Sequence, residues 1–329
     1  MKVLKELEED IVLKNENDSP LEVVQIENEY LRLSIVPSLG GKIIELLNKQ
    51  TGTQFLKDCS CDLNELQKPL YGDEFLPPYA FGFDECFPNI ASESIVINNE
   101  IKELPDHGEI WTQDCSYEVS EHEIILYAEG SILKYTFLKK IRLKNQQVII
   151  DYHLKSKENN TFNYVWSAHP LLNISEGDEI VMDNSTDEMI IDSISYGTIE
   201  SSGNIVNWPF INTFEKGICY NRVQHSSHDF ATKLYIHSND NGSASVYYPL
   251  KDESITFNFD IEKIPHIGIW LCYGGWPKNS VNKEFTIAIE PARGGYDSLQ
   301  EAINNQKVFS IKPDEKQHWQ MVISVKQGR

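Results

Sequence analysis

A carboxylate near the end of an apolar stretch is the first residue in this sequence that could do chemistry. Along 285–291 alternate residues face opposite ways, so Glu290 shares one face with Thr286 and Ala288. We expect the strand to stop at Pro291, ahead of a glycine turn, which would leave room for a ligand beside Glu290. A solvated glutamate at a sheet edge would show the same pattern.

A single histidine lies in an apolar and aromatic stretch in the middle of the chain. His169 follows Trp166 and precedes Pro170 and two leucines. Imidazole is the side chain best suited to donate a proton near neutral pH, so His169 is a candidate general acid. The alternative is a histidine that is simply hydrogen-bonded in the core.

Two carboxylates, a histidine and a tryptophan occur within six residues where a loop enters a strand. They are Asp106, His107, Glu109 and Trp111. Loops on rigid β scaffolds often carry binding groups, so we expect this loop to contact a ligand. A surface turn with Trp111 tucked into the core is the alternative.

Three aromatic residues flank a glycine turn late in the chain. Trp270 and Tyr273 precede Gly274 and Gly275, and Trp276 follows them. Flat aromatic faces beside polar groups suit a sugar ring, which has apolar C–H faces and a rim of hydroxyls. Ordinary core packing would explain these residues equally well.

The elements that must position these groups are almost all strands. Alternation with a period of two recurs along the chain, whereas the helical period is nearly absent. The clearest segments are 31–35, 133–143, 148–154, 254–261 and 319–325. One short helix is predicted near 299–303, capped by Asp297 or Ser298. Because the strands follow one another without helical crossovers, the sequence predicts an all-β fold, a large antiparallel β-sandwich.

No linker, low-complexity tract or repeat divides the chain. We therefore expect a single domain over residues 1–329, with 1–20 as an N-terminal extension that is ambiguous between helix and strand. No stretch approaches the roughly 18 apolar residues of a membrane helix. The acidic start is unlike a secretory signal. These features predict a cytoplasmic protein with no membrane partner.

The charge balance narrows the range of ligands. The formal net charge is −21, from 50 acidic and 29 basic residues. Such a field repels phosphate backbones, so no nucleic-acid partner is expected. Arginines, the usual bidentate donors to phosphate groups, are few. A neutral monosaccharide fits this composition better.

The cysteines and a histidine pair suggest no metal site. The six cysteines are expected to be reduced and partly buried. Cys59 and Cys61 could form half of a metal site, but the sequence has no second cysteine pair with suitable spacing to complete it. We interpret these two cysteines as structural or incidental. His225 and His228 would face opposite ways on a strand, so their segment is interpreted as a polar loop. We expect no metal and no cofactor.

Together and in this order, the motifs resemble the aldose 1-epimerase (galactose mutarotase-like) superfamily. The matching segments are 30–43, 82–90, 106–111, 166–171 and 290–293, within a resemblance that spans roughly residues 20–325. The resemblance implies a many-stranded β-supersandwich. It also implies an isomerase of carbohydrate metabolism that interconverts the α and β anomers of a free aldose.

The resemblance also implies roles for single residues. Glu290 looks like the general base that takes the proton from the anomeric hydroxyl, and His169 like the general acid at the ring oxygen. This pair works when Glu290 is ionised and His169 is protonated. His107 is similar to the histidine that holds a sugar hydroxyl. Further substrate-binding candidates are Asp84, Glu85, Asn89, Glu109, Trp111, Trp166, Trp270 and Arg293.

The sequence departs from the family in two places. It has Pro88-Asn89-Ile90 where the family has a loop arginine. The family's additional acidic ligand has no clear match, and Asp229 and the Trp208-Pro209 stretch are the candidates.

Three other functions stay open. A non-catalytic carbohydrate-binding or sensor protein would need the aromatic floor but not both proton-transfer groups. A hexose-phosphate mutarotase would need cations, and Arg293 is the candidate beside the site. A glycoside hydrolase would need a second carboxylate about 5–10 Å from Glu290, such as Asp84, Glu85 or Glu109. The sequence also leaves open a homodimer.

Overall fold

A computed structural model gives the fold. It describes residues 21–97, 100–182, 188–192, 202–211, 218–237 and 242–329. The predicted N-terminal extension, 1–20, lies outside the described residues. Within the described ranges, no helix is both long enough and apolar enough to span a bilayer.

The described residues form 25 strands and one α-helix. The first twelve strands are β1 Val24–Glu27, β2 Leu31–Val36, β3 Lys42–Asn48, β4 Thr53–Gln54, β5 Phe83–Cys86, β6 Glu93–Ile97, β7 Glu100–Leu104, β8 Ser116–Ser120, β9 Glu123–Glu129, β10 Tyr135–Lys144, β11 Gln147–Ser156 and β12 Phe162–Tyr164. The others are β13 Trp166–Leu172, β14 Glu179–Met182, β15 Glu188–Ile191, β16 Ile205–Asn207, β17 Phe210–Ile211, β18 Ile218–Cys219, β19 Phe230–His237, β20 Ser243–Tyr248, β21 Glu253–Phe259, β22 His266–Tyr273, β23 Phe285–Arg293, β24 Phe309–Ile311 and β25 Lys316–Gln327. Helix α1 is Leu299–Asn304, and two 3₁₀ turns are Pro37–Leu39 and Ser226–His228.

Two large antiparallel sheets pack face to face. The larger one has 13 strands in the order β1-β2-β3-β5-β13-β23-β22-β19-β15-β16-β17-β18, with β4 beside β3. The smaller one has eight strands in the order β14-β20-β21-β25-β11-β10-β9-β8. The prediction of an all-β antiparallel sandwich is confirmed.

The core between the sheets follows from the alternation in the sequence. Along β10 and β25 buried residues alternate with more exposed ones, as expected for strands with one buried face. Aromatic rings fill the centre. Tyr152 stacks on Trp319 with ring centroids 5.6 Å apart, and Trp166 of the larger sheet contacts both rings.

The predicted helix is present, and Ser298 is its cap. The Ser298 hydroxyl accepts a hydrogen bond from the backbone N–H of Glu301, 3.1 Å away. Leu299 and Ala302 are buried, as the apolar stripe predicts.

The end of the strand that carries Glu290 differs from the prediction. β23 does not stop at Pro291 but continues to Arg293, and Pro291 lies opposite Ile267 of β22. On its other side β23 pairs with β13 at Ser167–Ala292 and Leu171–Ala288, and the ladder is interrupted between these two pairs. Pro170 and Pro291 both lie in the gap. Since proline has no N–H to donate, the chain tolerates both where ladder bonds are missing.

Candidate functional site

A cavity opens on the face of the larger sheet that points away from the smaller one. Strands β13, β19, β22 and β23 supply its floor, and loops from other parts of the chain cover it. The described residues that line it are Phe75, Ala80, Ile90, His107, His169, Leu171, Lys233, Trp270, Trp276, Glu284, Thr286 and Asp297.

The gap in the β13–β23 ladder brings His169 and Glu290 together. Both residues lie midway between the pairs that flank the gap, and both side chains are on the cavity side of the sheet. The His169 Nε2 atom is 3.7 Å from the Glu290 Oε1 atom. Glu290 is fully buried, and the described residues give its Oε1 no hydrogen bond. The Oε1 atom of Glu290 therefore lies next to His169 without a hydrogen-bond partner among the described residues.

A lysine that the sequence analysis missed occupies the other carboxylate oxygen. The Lys233 ammonium group donates a hydrogen bond to Glu290 Oε2 and forms a buried ion pair with it. Lys233 comes from β19, and β22 lies between the two strands, with Gly268 opposite Glu290. A Cβ on Gly268 would lie 3.2 Å from Lys233 Cε and 3.3 Å from Glu290 Cβ. Because glycine has no side chain, the side chains of Lys233 and Glu290 can meet across β22 at Gly268.

The loop that carries His107 is held in an unusual backbone conformation. His107 and Gly108 have φ values of 57° and 76°. A Cβ on Gly108 would lie 2.2 Å from the Phe87 carbonyl oxygen, so glycine is required there. His107 Nδ1 lies 3.0 Å from Asp106 Oδ1, and the His107 ring stacks on Phe75 at 4.3 Å. This turn places the ring 5.1 Å from the ring of His169.

The two histidines differ in protonation. Burial, followed by the nearby positive charges of His107 and Lys233, lowers the pKa of His169 well below its usual value. For His107 burial acts in the same direction, but the Asp106 carboxylate outweighs it, and the pKa is raised. This lowered pKa disagrees with the expectation that His169 is protonated at neutral pH, because burial and the surrounding positive charges disfavour a further positive charge. Of the two rings, His107 holds a proton more readily.

A pair of carboxyl groups lies at one end of the cavity, and the sequence analysis missed it as a site. Asp297 accepts a hydrogen bond from the Tyr235 hydroxyl at 2.8 Å, and its Oδ1 lies 3.6 Å from Lys233 Nζ. The backbone N–H of Asp297 donates to Asp192 Oδ1 at 3.1 Å. Burial, followed by repulsion from Asp297, raises the pKa of Asp192 to about 8. The pair therefore holds one proton at neutral pH.

Burial also raises the pKa of Glu290, and Lys233 opposes that rise. The pKa of Lys233 is raised, because Asp297 and Glu290 together outweigh the effect of its burial. Lys233 is therefore charged, and it is the cation that keeps a carboxylate in a fully buried position.

Aromatic rings and a loop enclose the rest of the cavity. Trp270 and Trp276 meet edge to face with ring centroids 6.1 Å apart. The loop between β4 and β5 supplies Phe75 and Ala80. Lys57 fixes this loop by donating to the Ala80 carbonyl oxygen at 2.7 Å and pairing with Glu284 at 2.6 Å. Flat rings therefore lie beside polar groups, as a sugar-binding cavity requires.

Comparisons with known proteins show which solved structures this fold resembles. Among sequences, a family described as "Domain of unknown function (DUF5107)" matches residues 11–61, and no curated protein matches. Among solved structures, a galactose mutarotase related enzyme from Lactobacillus acidophilus is similar with a TM-score of 0.68 and 15% identity, over 93% of this chain and 98% of that one. A galactose mutarotase-like protein from Lactobacillus casei ATCC 334 gives 0.66 and 14%, over 93% and 100%. A GalM/aldose epimerase homologue from C. elegans gives 0.61 and 10%, over 94% and 100%.

This chain has the galactose mutarotase-like fold. The predicted resemblance to that superfamily is confirmed at the level of the fold. At these identities the similarity shows only the architecture of the sandwich. The function of the site must therefore be argued from the residues of this chain.

Three predicted substrate-binding residues of this mutarotase-like chain point away from the cavity into the core between the sheets. Glu85 pairs with Lys139 at 2.9 Å and accepts from the Tyr152 hydroxyl. Trp166 donates its ring N–H to Glu85 at 2.8 Å. Arg293 donates to the Tyr164 hydroxyl and lies over the Trp319 ring. Contrary to the expectation from the sequence, these three side chains do not line the cavity. The reason is strand alternation, since Trp166 lies three residues from His169, and Arg293 three from Glu290.

Four more predicted contacts are buried behind the cavity wall. Asp84 pairs with Lys42 at 2.5 Å, and Asn89 donates to the carbonyl oxygens of Ala91 and Pro105. Glu109 accepts from the backbone N–H and hydroxyl of Ser131, and Trp111 donates to the Asp106 carbonyl oxygen. These side chains hold the loops in place, and the sequence pattern did not distinguish such support from ligand contact. Of the predicted residues, His107, His169 and Trp270 line the cavity, and Glu290 lies directly behind it.

The candidates for the additional acidic ligand also lie elsewhere. Asp229 ends the Ser226–His228 turn, and Trp208 packs in the main core. His225 accepts a hydrogen bond from the backbone N–H of Ser227, whereas the His228 ring bonds to the Tyr220 hydroxyl. The different partners agree with the polar-loop interpretation of this histidine pair.

One set of side chains in the described ranges could hold a metal ion. Cys86, His107 and His169 each offer a ligand atom, and these atoms lie within 4.8 Å of one another. Burial raises the pKa of the Cys86 thiol well above its usual value, and Lys233 is close by. A neutral thiol and a neighbouring ammonium group both disfavour a cation at this position.

Proposed function

We propose that this protein is an aldose 1-epimerase, which interconverts the α and β anomers of a neutral monosaccharide. The observation that carries the proposal is the convergence of His107, His169 and Glu290 from distant parts of the chain on one enclosed cavity beside Trp270. Opening a cyclic hemiacetal requires one proton to leave the anomeric hydroxyl and another to reach the ring oxygen. Both oxygens are bonded to the same carbon, so the acid and the base must lie close together. The two histidines and Glu290 meet this requirement, because His169 lies 3.7 Å from Glu290 and its ring lies 5.1 Å from the ring of His107.

Glu290 acts as the base in this proposal. Its Oε1 has no hydrogen-bond donor among the described residues, and Lys233, paired with Oε2, favours the ionised carboxylate against the effect of burial. An anomeric hydroxyl that enters beside His169 would donate to this free oxygen. A base held in this way needs no reorganisation when the proton moves.

The two histidines act together as the acid. The pKa of His107 is raised and that of His169 is lowered, so of the two rings His107 holds a proton more readily. When Glu290 takes the anomeric proton, the cavity loses one negative charge, so the donor must release its own proton easily at that moment. The imidazolium of His107, close to its neighbour's ring, satisfies this condition. Rotation about the C1–C2 bond and reclosure with the proton transfers reversed give the other anomer.

The charges of the cavity support a neutral substrate. Each cation that lines it has an anionic partner: Lys233 pairs with Glu290, and His107 pairs with Asp106. At the rim Glu284 is paired with Lys57. In the part of the chain that the structure describes, the cavity therefore offers a phosphate group no unpaired cation. Arg293, the cation suggested for a phosphosugar, lies in the core instead.

The test is exchange NMR spectroscopy on a panel of free aldoses, with glucose and glucose 6-phosphate compared directly. We expect faster exchange between the anomers of at least one neutral aldose and no acceleration for the phosphate ester. Glu290→Gln should lower the rate by about 10²–10⁴-fold, the usual contribution of one positioned proton transfer. Glu45→Gln, at the Arg32 ion pair on the same sheet, is the matched control and should behave like the wild type. If no aldose exchanges faster with the protein, the proposal is wrong.

The Lys233–Glu290 ion pair favours one second candidate, a sugar-binding protein that does not catalyse. A lysine that occupies one oxygen of the presumed base restrains the carboxylate. In that case a sugar would bind with measurable heat in calorimetry, and neither the wild type nor Glu290→Gln would change the rate of anomer exchange.

A further inference from the structure

Two cysteine thiols lie almost in bonding distance in the loop that covers the cavity. Cys59 and Cys61 follow β4, and their Sγ atoms are 3.3 Å apart. A disulfide bond is about 2.05 Å long, so the sulfurs would have to approach by only about 1 Å more. Cys61 is exposed and Cys59 is half-buried, so a small reagent can reach the pair from solvent.

The other thiols offer these two no competing partner. Cys86, Cys115 and Cys272 are buried in separate parts of the core, and the half-buried Cys219 donates to Asn221 Oδ1 at 2.9 Å. Cys59 and Cys61 are therefore the thiols in the described chain placed to react with each other.

We propose that Cys59 and Cys61 form a reversible redox modification site, which a small-molecule disulfide such as oxidised glutathione converts to an intramolecular disulfide. In the first step the thiolate of Cys59 attacks one sulfur of the reagent, a mixed disulfide forms, and one thiol of the reagent is released. In the second step the Cys61 sulfur, which loses its proton to solvent, attacks Cys59 Sγ, and the second thiol of the reagent leaves. The protein loses two protons and two electrons, and the reagent gains them.

The surroundings assign the order of the two cysteines. Burial, followed by the hydrogen bond with Cys59 and the carboxylates of Glu65 and Asp62, raises the pKa of Cys61 to about 11. Cys61 therefore keeps its proton while Cys59 reacts, and attacks once the mixed disulfide has removed the negative charge of its neighbour. The ring closed by one intervening residue is small and exposed, so thiols should reduce it readily.

The modification would lie next to the site. Cys59 is two residues from Lys57, which fixes the covering loop through Ala80 and Glu284. Cys59 also packs against the small apolar cluster that contains Phe81 of this loop. The formation of the disulfide does not depend on the proposed function.

The test treats the folded protein with oxidised glutathione and follows it by peptide mass spectrometry and thiol titration. We expect the peptide that contains both cysteines to lose the mass of two hydrogen atoms, native thiol titration to lose two thiols, and dithiothreitol to restore both. Cys61→Ser should instead keep glutathione bound to Cys59. Cys219→Ser is the control and should form the disulfide like the wild type.

Two results would overturn the proposal. One is an unchanged mass of the peptide after exposure to a large excess of the reagent, while the reagent still modifies Cys219. The other is a mixed disulfide that persists on wild-type Cys59 or Cys61 without closing the ring. Because the readout is covalent, both results are independent of any sugar chemistry.

Discussion

Replacing Lys233 with methionine would show whether the buried ion pair holds the site together. The Lys233 side chain is 5% exposed and the Glu290 side chain 0%, so the pair is closed off from water. Methionine keeps most of the length of the lysine stem but removes the charge. Glu290 would then lose its one strong cationic partner in a fully buried position.

The expected cost follows from that burial. Removing one partner of a buried ion pair typically costs about 3–5 kcal/mol, because the other charge stays behind without a partner. A double variant, Lys233→Met with Glu290→Gln, leaves no charge behind and should cost clearly less than the two single changes added together. Independent sites would add within about 0.5 kcal/mol, so a coupling of about 2 kcal/mol would be unambiguous.

The same substitution should also affect activity and its dependence on pH. Burial raises the pKa of Glu290 and Lys233 opposes that rise, so the loss of Lys233 should raise the pKa further and increase the protonated fraction of the carboxyl group. We expect a loss of anomer exchange of about 10²–10⁴-fold at neutral pH, with partial recovery as rising pH ionises Glu290. The sign is diagnostic, because a merely misfolded variant would not recover at high pH.

Urea denaturation followed by circular dichroism gives the free energies, and exchange NMR gives the rates. The matched control is Lys139→Met, which breaks the buried pair with Glu85 on the opposite face of the sheet. It should destabilise the protein by a similar amount and leave the pH profile of exchange unchanged. Additive free energies in the Lys233 and Glu290 cycle, or full activity of Lys233→Met at neutral pH, would refute the reasoning.

Three further predictions concern the neighbours of this pair. The pKa of Asp192 is raised to about 8, so the wild type should lose stability as pH rises between about 4 and about 8, by at most about 1.4 kcal/mol per pH unit. In Asp192→Asn this dependence of stability on pH should be absent. If the free energies of unfolding of the variant and the wild type differ by the same amount at pH 5 and at pH 7, the prediction is wrong. Gly268→Ala places a methyl group 3.2 Å from Lys233 Cε. It should lower the free energy of unfolding, measured by urea denaturation, by about 1–3 kcal/mol and should slow anomer exchange. Wild-type values of both would show that the Lys233–Glu290 pair tolerates a methyl group at this position. Trp270→Ala should raise KM for the sugar about two- to tenfold with little change in kcat. An unchanged KM would show that the Trp270 ring does not contact the sugar.

Strand alternation in the sequence carried more information about the site than the motifs did. It correctly placed Glu290 on one face with Thr286 and Ala288. Applied to the neighbouring motif residues, the same rule separates Trp166 from His169 and Arg293 from Glu290, since residues three apart on a strand face opposite ways. The sequence analysis named Trp166 and Arg293 as substrate contacts in addition to the roles that the resemblance implied for His169 and Glu290. Side-chain direction, and not adjacency, decides which residues reach the cavity.

Lys233 shows what a sequence pattern leaves hidden. An isolated lysine within an apolar strand, between Ala231 and Tyr235, was the available signal, since a buried lysine needs a partner. The sequence offered no means to identify that partner, which lies 57 residues further along the chain. Nor could it identify Asp192 and Asp297 as neighbours, because the segments that follow β15 and β23 meet only once the sheet has formed.

By itself the sequence determined the strands, the antiparallel sandwich, the capped helix and the face on which Glu290 lies. These features depend on local periodicity and on turn chemistry, which neighbouring residues specify. Only the tertiary structure decided that β13, β23, β22 and β19 lie side by side, so that His169, Glu290 and Lys233 meet. It also decided which histidine holds a proton more readily. Strand order is set by packing between distant segments, and protonation by the burial and charges that this packing creates.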